Sequence, residues 1–140
     1  MTTIAAKSGI MAADRRVTSG EFADVCPPKL RRVGKYVIGG AGNFARVSRF
    51  LRWVEAGMKG RAPATKDIEI LVGYSGKLEF WSAVNGELVR MPVEGYAAIG
   101  SGEDVAKGAM FAGAGAVTAV KAAIFHDTGS GNGITRMVYR

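Results

Sequence analysis

The chain has 140 residues, 48% of them hydrophobic and 22% charged, which suits one globular domain, residues 1–140, with its own core. Its one cysteine, Cys26, excludes an internal disulfide and a multi-cysteine zinc site and is expected to be a buried, inert thiol. The net charge of +7 sits in residues 1–61 (12 basic, 4 acidic) rather than 62–140 (7 basic, 8 acidic), but no aromatic motif is interleaved with the arginines, so no nucleic-acid partner is expected.

In chain order, Met1 is followed by Thr2-Thr3 and then directly by strand-like sequence. No charged, apolar, cleavable leader is visible there, which points to the cytoplasm. Residues 2–7 and 10–17 read as two strands joined at Ser8-Gly9, a tight-turn pair. A loop over 18–28 ends in Pro27-Pro28. Residues 30–33 and 36–39 predict a second hairpin around Gly34-Lys35, followed by the glycine stretch 39–42. A helix over 43–59 follows, with Asn43 as N-cap and an apolar stripe of Phe44, Val47, Leu51, Val54 and Met58 at steps of 3, 4, 3 and 4. Residues 60–65 break it. A meander of strands over 68–74, 77–82, 88–92 and 96–99 comes next, turning at Ser75-Gly76 and Asn85-Gly86. Helices over 103–112 and 117–126 flank Gly113–Gly115, and residues 134–139 alternate like a last strand. The most apolar window, 105–125, carries Lys107 and Lys121, so packed helices are expected there rather than a membrane span. Runs of strands with segregated helices indicate α+β with antiparallel sheets.

Several chemistries lack their residues. Gly100-Ser101-Gly102 has no third glycine of a dinucleotide fingerprint, and no glycine run precedes a Lys-Ser or Lys-Thr pair. The run from Asp127 departs from a calcium loop. With His126 the only histidine, neither a Ser-His-Asp triad nor a histidine zinc site is supported, and a place at a helix end suits it better. A hydroxyl nucleophile can instead use the α-amine of its own residue as base, since that amine, with a reference pKa of about 7.7–8.0, is partly neutral near neutral pH. If Met1 is trimmed, Thr2 is such a residue.

The chain resembles the proteasome β-subunit superfamily of N-terminal-nucleophile hydrolases, and most closely the HslV (ClpQ) peptidases. The resemblance is carried by Thr2-Thr3-Ile4 and by "AADRRVTSG" at 12–20, "KLRR" at 29–32, "VIGGAGN" at 37–43, "AIGSGE" at 98–103 and "HDTGSGN" at 126–132. It implies a four-layer αββα sandwich of two antiparallel sheets, with one helical layer shortened because a single helix follows the glycine stretch. It also implies a catalytic set: Thr2 as nucleophile, Lys29 as the lysine beside it and Asp14 as the acid holding that lysine. Gly39 supplies an oxyanion N–H, Ser101 is the supporting serine, and Asp127 and Ser130 lie beside the amine. Taken without the resemblance, Asp14 next to Arg15 reads as a surface ion pair, and Ser101 as a cap for the helix at Glu103; Lys35 is the next lysine candidate. The function implied is a threonine endopeptidase without cofactor, acting on proteins and peptides inside homo-oligomeric stacked rings and fed by an AAA+ unfoldase. A non-peptidase amidohydrolase and a non-catalytic ring or scaffold subunit of the same fold are the alternatives.

Overall fold

A computed structural model describes residues 2–15, 29–126 and 133–140. The elements are β1 (Thr3–Lys7), β2 (Ile10–Asp14), β3 (Leu30–Val33), β4 (Tyr36–Gly42), α1 (Phe44–Glu55), β5 (Ile68–Tyr74), β6 (Lys77–Val84), β7 (Glu87–Val93), β8 (Tyr96–Gly100), α2 (Glu103–Phe111), α3 (Ala116–His126) and β9 (Ile134–Val138). They form two sheets, one ordered β8-β1-β2-β9 and the other β3-β4-β5-β6-β7, with antiparallel neighbours throughout.

Side-chain alternation explains the layers. In β1, Ile4 and Ala6 join Met11, Leu30, Val37, Leu71 and Ile99 between the sheets. Each fully buried aliphatic of that kind contributes about 1.5–3 kcal/mol. Ala5 points to the other face, where it lies opposite both Ala12 and Ala98. This row of alanines lets α2 and α3 approach closely, and Ala106, Met110, Ala119 and Val120 pack on it. On the outer face of the second sheet, Val47, Phe50, Leu51 and Val54 of α1 cover Ile38, Ile70, Val72 and Trp81. The result is a four-layer α+β sandwich of the αββα kind, with α1 alone on one side among the described residues.

The turns follow the sequence. Ser8-Gly9, Ser75-Gly76 and Asn85-Gly86 all adopt paired positive φ values (53 and 79°, 48 and 75°, 54 and 81°), as two-residue hairpins of this handedness require. Three boundaries differ most from the sequence reading. β2 stops at Asp14, whereas a strand to residue 17 was expected, and the last two of those residues lie outside the described ones. β4 runs on through the glycine stretch, pairing with β5 as far as Gly42 opposite Ile68. α1 ends at Glu55 because Gly57, at φ 98°, reverses the chain, its N–H bonded to Val54 O and that of Met58 to Trp53 O. The buried stripe of α1 accordingly includes Phe50 and leaves Phe44 exposed.

Candidate active site

At one end of the sandwich several strands begin or stop without a tight turn, beside the Asn85-Gly86 turn that joins β6 to β7. β1 begins there at Thr3 and β3 at Leu30, while β2 stops at Asp14 and β8 at Gly100. Thr2 precedes β1 at this end, Lys29 precedes β3, and Ser101 follows β8.

Asp14 joins the two sheets. Its Oδ1 accepts the Lys29 Nζ at 2.8 Å and the backbone N–H of Thr3 at 2.9 Å. The Asp14 side chain is fully buried and that of Lys29 is 8% exposed. A charge withdrawn from water is tolerated only when paired and hydrogen-bonded, and both distances are those of charge-assisted bonds. Asp14 is therefore no surface partner of Arg15, whose Nε donates to Thr135 Oγ1 instead. One carboxylate oxygen thus ties the ammonium of Lys29 to the residue that follows Thr2.

On the other side of β1, Thr3 lies opposite Gly100. Gly100 has φ 95°, and a Cβ on it would stand 1.8 Å from the Thr2 carbonyl oxygen, so both conformation and space require glycine. Ser101 Oγ donates a long hydrogen bond of 3.4 Å to that same carbonyl. The N-cap of α2 is Gly102, without a side-chain capping bond, so Ser101 contacts Thr2 rather than capping this helix. The Thr3 side chain is buried under Gly102, where a Cβ would meet its Oγ1.

Of the residues singled out from the sequence, Thr2, Asp14, Lys29 and Ser101 thus share one end of the sandwich. Gly39 pairs with Leu30, the residue after Lys29, and packs against Ile4. Asp127 and Ser130 lie outside the described residues, as does Cys26. Lys35 is at the opposite end, its Nζ over the rings of Tyr36 and Tyr74 at 5.3 and 5.2 Å. His126 is the last residue of α3.

The sequence reading passed over Thr3, whose N–H anchors Asp14, the steric role of Gly100, and Glu69. Glu69 lies opposite Ala41 in the β4–β5 pairing, and its Oε1 accepts the Gly100 N–H at 3.4 Å. A signal existed, because in "IEILVGY" Glu69 shares the strand parity of Leu71, which faces the inter-sheet core. At the start of α2, burial raises the pKa of the Glu103 carboxyl, the nearby charge of Glu69 raises it further, and Lys107 opposes the shift. Among the described residues, no group of three or more His, Cys, Asp and Glu side chains could hold a metal ion.

No protein-family model matches the sequence, and no curated protein matches it. Solved structures do. HslV from Trypanosoma brucei superposes with a TM-score of 0.72 at 24% identity, covering 98% of this chain and 98% of that one. BPH from Thiobacillus denitrificans gives 0.69 at 19% identity over 99% and 98%, and its complex with epoxomicin gives 0.68 at 18%. A Gly-1 mutant of Anbu from Hyphomicrobium gives 0.70 at 14%, covering 100% of this chain and 82% of that one. Across nearly its whole length, the chain has the fold of the proteasome β-subunit and HslV family.

Proposed function

We propose that the chain is a threonine-type endopeptidase subunit of a self-compartmentalising, HslV-like ring, with Thr2 as its N-terminal nucleophile. The observation that carries this reading is the single Asp14 oxygen shared by the Lys29 ammonium and the Thr3 N–H. Carried back one residue, the alternation of β1 turns the Thr2 side chain to the Ile4 side, toward the sheet that Lys29 enters.

Removal of Met1 would free the Thr2 amine to act as base. The ammonium of Lys29 favours the ionised hydroxyl, and Asp14 fixes that ammonium in place. Thr2 Oγ1 attacks the peptide carbonyl carbon. The developing oxyanion takes a hydrogen bond from the Gly39 N–H, an interaction of a kind worth about 3–4 kcal/mol. The carbon–nitrogen bond then breaks, the leaving amine takes the proton held by the α-amine, and water hydrolyses the ester on Thr2. Asp127 and Ser130 would orient the amine, and Ser101 supports it through the Thr2 carbonyl.

Exposed Phe111 and Phe125 on α2 and α3, 83% and 84% accessible, favour burial of that helical face between copies. An AAA+ unfoldase would feed substrates to such a ring in the cytoplasm. The test is hydrolysis of fluorogenic peptides by wild type and Thr2→Ala, with assembly followed by native mass spectrometry. Thr2→Ala should lose turnover and keep its assembly. Turnover that survives this change overturns the reading.

A further inference from the structure

The open end of the sandwich holds one acid that the proposed reaction does not use. Glu69, near the start of β5, is exposed, and among the described residues it forms no ion pair. Neighbouring acids are engaged: Asp67 with Arg46 at 3.2 Å and Glu103 with Lys107 at 3.9 Å.

Its position relative to Thr2 is fixed by two sheets at once. Strand parity puts Glu69 on the Leu71 side, toward the space between the sheets, and the same parity carried back along β1 puts Thr2 on the Ile4 side of that space. The link between them is Gly100, whose N–H is bonded to Glu69 and whose α-carbon lies against the Thr2 carbonyl. A carboxylate therefore stands one backbone residue away from the candidate nucleophile, exposed at the strand-tip end of the sandwich. The residue opposite it, Ala41, is small and buried, so nothing on β4 fills the space beside the acid. With burial, the nearby charge of Glu69 raises the pKa of the Glu103 carboxyl at the start of α2.

We propose that Glu69 is a specificity-determining residue of this site and selects peptides with a lysine or arginine side chain next to the scissile bond. The inference rests on the reading of Thr2 as nucleophile. A basic side chain beside Glu69 gains an ion pair that a neutral one lacks, and the gain falls with added salt.

Two peptide series test it. Fluorogenic amides vary the residue on the acyl side of the cleaved bond between lysine and norleucine, and internally quenched peptides vary the residue on the leaving side in the same way. The readout is the lysine-to-norleucine ratio of kcat/KM, measured for wild type, Glu69→Gln and Glu69→Lys. Glutamine keeps an oxygen acceptor for the Gly100 N–H, so it separates charge from the bond that braces β8. The ratio should exceed one in at least one series, fall about fivefold in Glu69→Gln and invert in Glu69→Lys. The series that responds identifies the side on which the cation binds. Thr2-dependent hydrolysis with the same ratio in wild type and Glu69→Gln in both series overturns the role of Glu69 while leaving Thr2 in place. Absence of Thr2-dependent hydrolysis for every peptide overturns the nucleophile and Glu69 together.

Discussion

At one end of the sandwich the strands double back through Ser8-Gly9 and Ser75-Gly76, and the chain closes over them with Tyr139. At the other end β6 and β7 turn through Asn85-Gly86, but β1, β2, β3 and β8 begin or stop, leaving Thr2, Asp14, Lys29 and Gly100 at their tips. Tyr139 is 3% exposed; its N–H bonds to Gly9 O and its carbonyl accepts the Gly76 N–H, both at 2.8 Å. Its ring lies on Gly73, where a Cβ would come within 2.4 Å of it. Nearby, Arg90 stacks over Tyr36, Tyr74 and Trp81 and is held by Glu79. An open cavity of about 610 Å³ lies beside Tyr139, lined by Ser8, Tyr74, Lys77 and Glu79 among others. That end joins backbone to backbone and ring to backbone, so its residues act on stability. The strand-tip end instead holds a buried charge pair tied to the residue that follows Thr2, and under the proposed function stability and chemistry would meet there in one residue, Lys29.

The two ends should differ most in their response to a change at Lys29. Lys29→Met should abolish peptide turnover and also cost about 3–5 kcal/mol in chemical denaturation, because it strands a buried carboxylate. Adding Asp14→Asn to Lys29→Met should restore much of the stability and none of the turnover. If turnover returned with the neutral pair, Lys29 would be purely structural. At the other end, Tyr139→Ala should cost about 3–5 kcal/mol through the cavity it leaves. It should leave kcat per folded chain close to wild type when assayed well below the melting transition. A loss of kcat matching Lys29→Met would mean the two ends are coupled.

Gly100→Ala comes next. Its Cβ has no room beside the Thr2 carbonyl, so Thr2 must shift, and a displacement of this order costs roughly a hundredfold in kcat/KM. Unchanged kinetics in this variant would remove Gly100 from the site. The smallest effect expected is that of pH on Glu79. Burial pushes its carboxyl up, but hydrogen bonds from Trp81, Arg90 and Tyr74 outweigh this and leave its pKa lowered. A depressed folded pKa contributes stability that is present above the unfolded value and lost as pH falls through the folded one. Acid melting curves of Glu79→Gln should therefore fall less steeply than those of wild type below the usual carboxylate range. Parallel curves would assign acid sensitivity elsewhere.

The same contrast explains what could be read from sequence. The tight turns were legible because Ser-Gly and Asn-Gly pairs carry their own backbone preference, independent of anything distant. The layers were legible from β1 and α3, where alternation and small residues persist through each element. The start of the α1 stripe was misjudged because Phe44 fits the helical period, yet tertiary packing selects Phe50. At the strand tips, local signals fail. Nothing near Asp14 says that its partner is Lys29, 15 residues on, rather than adjacent Arg15; only the resemblance to HslV-type chains suggested it. Gly100 and Glu69 act through neighbours distant in sequence, on strands that pair only once the sheets form, so their places emerge with the fold.

The central claim is that Thr2, freed of Met1, reacts through its own hydroxyl. Intact-mass spectrometry of wild type and Thr2→Ala, each with and without epoxomicin (the compound held by the Thiobacillus BPH in its solved complex), measures this directly. Wild type should begin at Thr2 and gain one epoxomicin per chain, and Thr2→Ala should gain none. A wild-type chain that retains Met1 and still hydrolyses peptides, or a Thr2→Ala chain that labels as fully as wild type, would contradict it.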